Sequence, residues 1–382
     1  MVYIAGDNVI TSLGFSTAEN IRKISENVCG ITRSDDKRIS RTPVPVALVD
    51  SDRLEKEFAK IPSKKQYTRL EKLAILSIRD ALLGSGVDPS DKRTGIIFST
   101  TKGNIDLLDP DMASRYEDHR IHLWSAAHEI QQQIGNPNTP IVISNACISG
   151  SLAVLVGQRL INNGKFDHVI VAGADIMSEF IISGFQSFQA VSEEPCKPFD
   201  KGRSGITIGE GAGTIILTTD PPNGKKNSRI TVMGGGTSND ANHISGPSRT
   251  GDGLYFAINM ALAEAGLQAE KIDYISAHGT GTGYNDEMEA KAIAWASLER
   301  KPVNIFKGYI GHTLGAAGII ESVYAFESMI GNLLFPSMGF TNLGVSKDLN
   351  IIKTLEQAPL HFCLKLASGF GGCNAAVIYR KE

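Results

Sequence analysis

One cysteine and two histidines hold the residue types in this chain best suited to covalent chemistry. Cys147 lies in the run Pro140-Ile141-Val142-Ile143-Ser144-Asn145-Ala146-Cys147-Ile148-Ser149-Gly150-Ser151. The apolar stretch reads as a buried strand ending at Ser144 or Asn145. Behind it, Ile148, Leu152, Leu155, Val156, Arg159 and Leu160 recur at helical spacing until Asn162-Asn163-Gly164 stops the helix. The cysteine is thereby expected at a helix N-terminus, where free N–H groups and the macrodipole favour a thiolate and lower its pKa. Ala146, Ser149, Gly150 and Ser151 are small and leave room for an incoming substrate. A lone cysteine is more often an inert buried apolar residue, and this segment alone leaves both readings open.

The histidines decide between them. His278 follows a strand on the turn His278-Gly279-Thr280-Gly281-Thr282-Gly283, and His312 lies in Gly311-His312-Thr313-Leu314-Gly315 before a helix, five residues after Lys307. Imidazoles flanked by glycine are open to bulky ligands, unlike those wedged into a helix core. Two of them with a helix-capping thiol make a site for nucleophilic catalysis.

The elements that must position these groups alternate between β-branched runs and helical patterns, as in an α/β fold with a buried sheet. Strands are expected near 94–99, 140–144, 169–172, 213–218, 272–276 and 375–379. Helices are expected over 63–83 and over 254–265, the second ending before Gly266. Gly209-Glu210-Gly211-Ala212-Gly213 and Gly369-Phe370-Gly371-Gly372-Cys373 each lead into an apolar strand. The polar stretch 221–228 separates them, so the chain divides into two similar α/β halves, 1–225 and 226–382. A dinucleotide-binding reading of Gly209, Gly211 and Gly213 fails, because that loop opens a helix and this one opens a strand.

Composition narrows the function further. A net charge of −3 over 382 residues gives no general basic surface for nucleic acid. Five scattered cysteines form no CxxC pair and no zinc-like spacing, so no metal site is expected and a reducing compartment is. The N-terminus lacks a signal-peptide pattern, and no apolar run reaches membrane-spanning length. A cytoplasmic location and no membrane insertion are the expectation.

At these residues the sequence resembles the elongating Cys-His-His β-ketoacyl-acyl-carrier-protein synthases of the thiolase fold. The likeness runs through nearly the whole chain: Lys197-Pro198-Phe199-Asp200, Arg203, Gly209-Glu210-Gly211, His278-Gly279-Thr280, Lys307, His312, Glu321 and Gly369-Phe370-Gly371-Gly372. It implies two pseudo-symmetric halves in a five-layered αβαβα sandwich. It implies that Cys147 takes the acyl chain and that His278 and His312, through Nε2, assist decarboxylation of a malonyl donor. Backbone N–H groups of Cys147 and Phe370 would form the oxyanion hole, with the Phe370 ring as a gate. Lys307 and Glu321 would pair and orient the histidines, with Asp286 and Glu289 in support. Thr280 and Thr282 would bind the phosphopantetheine arm, and Lys64, Lys65 and Arg69 would dock the acidic carrier protein. No cofactor is implied beyond the 4'-phosphopantetheine that carries the substrates.

The likeness also implies a dimer whose segment 102–139 contributes to the interface and the acyl-pocket floor. That segment is short here and carries the polar run Arg115-Tyr116-Glu117-Asp118-His119-Arg120. Gly281 and Gly283 stand where serine and proline are usual, and Cys373 where threonine is. These departures point to a specialised synthase, such as those of aryl-polyene or flexirubin-type pigment clusters, rather than general fatty-acid elongation. Three other readings remain at this level: an elongation synthase, a chain-length-factor-like partner in a heterodimer, and a thioester hydrolase. The partner reading is weakened because Cys147, His278 and His312 are all present.

Overall fold

The structure is a computed structural model describing residues 1–63, 65–220 and 230–382. The expected linker and its boundary at residue 225 lie outside the described residues, as does Lys64. Ten strands form one sheet: β1 Val2–Ile10, β2 Thr94–Ser99, β3 Ile141–Ile143, β4 His168–Asp175, β5 Gly211–Thr218, β6 Ile230–Asn239, β7 Tyr274–Ser276, β8 Val303–Asn304, β9 Phe362–Gly369 and β10 Cys373–Lys381. Their order is β8-β7-β9-β10-β6-β1-β5-β4-β2-β3. Read outward from the middle, the two halves share one plan. In the first, β1 and β5 are antiparallel, β5 and β4 antiparallel, and β4, β2 and β3 parallel. In the second, β6, β10, β9, β7 and β8 repeat that pattern of directions. The halves join where Val2 and Tyr3 pair with Val232 and Thr231.

The layers follow from strands that are apolar on both faces. Within β2 and β4, Ile97, Val169 and Val171 face the central core, whereas Ile96, Phe98, Ile170 and Ala172 face an outer one. Helices α3 Ser149–Asn162 and α6 Ala317–Gly331 pack together in the middle layer. Helix α1 Arg69–Leu82 covers the first half, and α4 Asp252–Ala265 covers the second beside α5 Gly283–Trp295. The result is the αβαβα sandwich expected from the sequence. One further helix, α2 Leu123–Ile134, lies in the 102–139 segment.

One local expectation changes. The helix expected over 63–83 begins only at Arg69, because Thr68 and Glu71 close a capping box there. Of the polar run 115–120, Arg115, Glu117, Asp118 and His119 are exposed, while Tyr116 and Arg120 turn inward. Arg120 is buried against the fully buried carboxylate of Glu71, and the Tyr116 hydroxyl donates to the Tyr67 carbonyl at 3.2 Å.

Candidate active site

Cys147 sits between β3 and α3 on a strained turn. Ala146 has φ of +44°, a left-handed conformation that costs a side-chain-bearing residue energy and that marks functional turns. The Ser149 hydroxyl braces it, accepting from the Asn145 N–H at 2.8 Å and donating to the Ala146 carbonyl at 2.6 Å. Gly369 passes so close that a Cβ there would stand 2.9 Å from the Cys147 nitrogen. This brings the β9–β10 turn over the thiol.

The expected lowering of the thiol pKa is overturned. The helix begins at Ser149, two residues beyond the cysteine. Burial, followed by the neighbouring Cys373, pushes the Cys147 thiol up to about 12, against the opposing pull of Lys307, Lys102 and the Phe370 N–H. Desolvation of the charged form outweighs the helix end. Cys147 is therefore favoured as the protonated thiol.

His278 is fixed from both sides of its backbone. Glu289 accepts from the His278 and Gly279 N–H groups at 2.6 and 2.8 Å, and Asp286 accepts from Thr280 at 2.9 Å and Gly281 at 3.1 Å. Burial of Glu289 raises its pKa to about 7. Lys307 donates to the His278 carbonyl at 2.6 Å and stands 3.3 Å from Nδ1. His312 receives the Leu314 N–H on Nδ1 at 3.2 Å. An ammonium and a backbone N–H can only donate, so each Nδ1 is an acceptor and each neutral ring carries its proton on Nε2. Both pKa values lie well below the ordinary histidine value, chiefly through burial and then through Lys307. The ring centroids are 5.1 Å apart, and Cys147 Sγ and one nitrogen of each ring lie within 4.8 Å of one another. His312 Nε2 is buried with no hydrogen-bond partner, so a donor stands free at the thiol.

Behind the rings, Lys307 Nζ lies 2.5 Å from Glu321 Oε1. A third residue, absent from the sequence reading, joins them: Lys365 Nζ lies 2.5 Å from Glu321 Oε2. Its signal was a lone lysine set in the apolar run Phe362-Cys363-Leu364-Lys365-Leu366-Ala367, since a buried charge demands a partner. Asp175 was also missed. It accepts from the Gly315 N–H at 2.6 Å and the Thr100 hydroxyl at 2.8 Å, tying the His312 turn to the first half.

A cavity of ≈ 570 Å³ opens onto Cys147, His278 and His312. Thr280 and Thr282 line it with their hydroxyls 2.9 Å apart. The Phe370 ring, 37% exposed, packs against Phe185 and Phe188 at 5.3 and 5.5 Å between centroids.

The family now follows. Sequence profiles of the β-ketoacyl synthase N-terminal and C-terminal domains match residues 1–222 and 230–341. This chain belongs to the β-ketoacyl synthase family. The 3-oxoacyl-[acyl-carrier-protein] synthase 2 of Rhizobium meliloti is 32% identical over 81% of this chain and 79% of its own length. A putative mitochondrial 3-oxoacyl-[acyl-carrier-protein] synthase of Schizosaccharomyces pombe is 28% identical over 100% of this chain and 99% of its own. Among solved structures, the Xenorhabdus doucetiae ketosynthase ApeO, in complex with its chain length factor ApeC, aligns with a TM-score of 0.90 at 26% identity, covering 100% and 98% of the two chains. The ishigamide ketosynthase/chain length factor aligns at 0.88 and 25%, covering 100% and 99%. The ketosynthase is accordingly an acyltransferase-type enzyme of the thiolase fold.

The cations expected to dock the carrier fare differently from the central site. Arg69, its side chain 25% exposed, pairs with Glu210 at 2.5 Å and donates to the Val49 carbonyl at 2.6 Å. Lys65 reaches Glu129 at 3.0 Å with its side chain 57% exposed. Among the described residues, no helix is long and apolar enough to cross a membrane.

Proposed function

We propose that this ketosynthase loads an acyl chain onto Cys147 and extends it with a malonyl-type unit, both delivered on the phosphopantetheine arm of an acyl carrier protein. The observation that carries the reading is the convergence of Cys147 Sγ with one nitrogen of each imidazole, both Nδ1 atoms being already engaged. In the first step Sγ attacks the acyl thioester carbonyl, and the thiol proton leaves with the pantetheine sulfur. The Cys147 and Phe370 N–H groups stabilise the tetrahedral oxyanion. In the second, the malonyl carboxylate departs as CO₂, and its bonding pair becomes an enolate whose oxygen faces the Nε2–H donors of His278 and His312. The enolate carbon attacks the acyl-enzyme, expelling the Cys147 thiolate, which takes one proton from water. Neither histidine has to serve as a strong base.

Lys307 and Glu321 orient the rings, and Asp286 and Glu289 hold the His278 turn. Thr280 and Thr282 receive the pantetheine arm beneath the Phe370 gate, and Lys65 contributes to carrier docking. The reading needs no cofactor beyond the carrier's arm and places the protein in the cytoplasm, in keeping with its free cysteines. The two halves would meet in the segment around residue 225. The departures at Gly281, Gly283 and Cys373 favour a specialised pathway of the aryl-polyene or flexirubin type. The likeness to ApeO with its chain length factor and to the ishigamide ketosynthase/chain length factor favours a chain-length-factor-like mate, with this chain as the catalytic member. Cys147→Ala tests the core of the proposal: mass spectrometry should find no acyl adduct on a folded protein. A persisting adduct would remove Cys147 as the nucleophile.

A further inference from the structure

Lys365 has no part in the reaction as written above, yet it is among the most completely buried cations in the chain. Its Nζ is surrounded by oxygen: Glu321 Oε2 at 2.5 Å, the Leu366 carbonyl at 2.8 Å, and the Ser276 and Ala277 carbonyls at 3.4 Å each. Burial draws the Lys365 pKa down and Glu321 opposes it. The geometry favours the charge, because a neutral amine would turn its lone pair toward one of these acceptors, whereas an ammonium has none to turn. Lys307 takes the other Glu321 oxygen and the His278 carbonyl. One carboxylate thus anchors two ammonium groups, and these cover three consecutive carbonyls, 276, 277 and 278. Two cations on one anion leave one net positive charge beneath the imidazoles.

We propose that Lys365 is a positioning residue for the decarboxylation step, fixing the carbonyl side of the 276–278 segment and supplying the excess positive charge behind the His278–His312 pair. This rests on the ketosynthase reading above. The groups facing the two rings are Lys307, Lys365 and, through them, Glu321, together with Cys147 and the opposite ring. Glu289 and Asp286 lie on the backbone side of His278, and Asp175 behind the His312 turn. Protonation of either ring would have to occur at Nδ1 and would displace the donor already there. Positive charge nearby opposes it, and both lysines contribute to lowering the two pKa values. Without Lys365 part of that opposition is lost, the imidazole pKa values rise, and the protonated, mis-seated form appears at higher pH.

The test is malonyl-carrier decarboxylation by Cys147→Gln protein, with and without Lys365→Met, followed across pH. Lys365→Met should lower kcat by about 10–100-fold, the scale for losing a group that orients catalytic side chains. Its acid limb should move up by about one pH unit. Acyl transfer to Cys147, measured in the otherwise native chain, should change far less. Should Lys365→Met not fold, Lys365→Gln keeps an N–H donor for the carbonyls while removing the charge, and its acid limb should still shift. An unmoved acid limb in a folded variant, or equal losses in acyl transfer and decarboxylation, would overturn the role of Lys365. Absence of decarboxylation in the Cys147→Gln parent, with native protein also unable to condense, would instead overturn the ketosynthase reading.

Discussion

At the scale of single residues, the site is a buried neutral thiol facing two neutral imidazoles. Because burial holds Cys147 near 12, alkylation of the resting enzyme by iodoacetamide should be slow at pH 7 and should still be rising at pH 10. Peptide mass spectrometry can separate Cys147 from the exposed Cys29. A plateau below pH 8 would mean that the thiolate forms without substrate. In the proposed reaction the histidines act later. His278→Ala and His312→Ala should each slow condensation by roughly 10²–10³, the cost of one oxyanion donor. Self-acylation should fall much less, as quench-flow acylation assays would report. Equal losses in the two steps would favour a Cys–His pairing of the hydrolase kind.

At the scale of elements, the site depends on how closely α3 and α6 cross. A Cβ on Gly318 would stand 2.3 Å from the Ser151 nitrogen, and one on Gly150 would stand 2.8 Å from the Ile319 nitrogen. Backbone blocks both positions, so neither side chain can be absorbed by a rotamer change. Since α3 starts just after Cys147 and α6 just after His312, separating the helices separates thiol from imidazole. Gly318→Ala should cost about 1–3 kcal/mol by overpacking and should lower condensation as well as Tm. Gly184, on the helix Glu179–Ser187, has open space around its Cβ. Gly184→Ala should leave Tm unchanged or raise it, through better helix propensity. Differential scanning fluorimetry beside a condensation assay compares the two.

At the scale of the molecule, β3 is the outermost strand of the first half and, among the described residues, pairs with β2 on one edge. Its three apolar residues are only partly buried, and such an edge is a template for another strand. Leu108 and Trp124, 55% and 58% exposed, lie in the 102–139 segment that precedes it. Light scattering should therefore give at least twice the 41.0 kDa chain mass. A monomer that condenses acyl chains at full rate would refute the dimer, and a fully active homodimer would remove the need for a chain-length-factor-like mate.

The sequence by itself determined whatever is encoded by neighbours along the chain. The apolar run before Cys147, the glycines around His278 and His312, and Gly266 closing α4 at φ +65° are local signals, legible without the fold. The two glycine turns that open β5 and β10 exposed the repeated halves for the same reason. Burial and pairing are not local. The direction of the Cys147 pKa turned on desolvation, to which distant segments such as the β9–β10 turn contribute. Lys365 and Glu321 are 44 residues apart, and Arg69 and Glu210 are 141 apart. A charge inside an apolar strand announces that it needs a partner, but only the packed layers decide which one it meets. That is why the Arg69–Glu210 pair was not legible along the chain, and why the partner of Lys365 appears only once β9 is laid against β7.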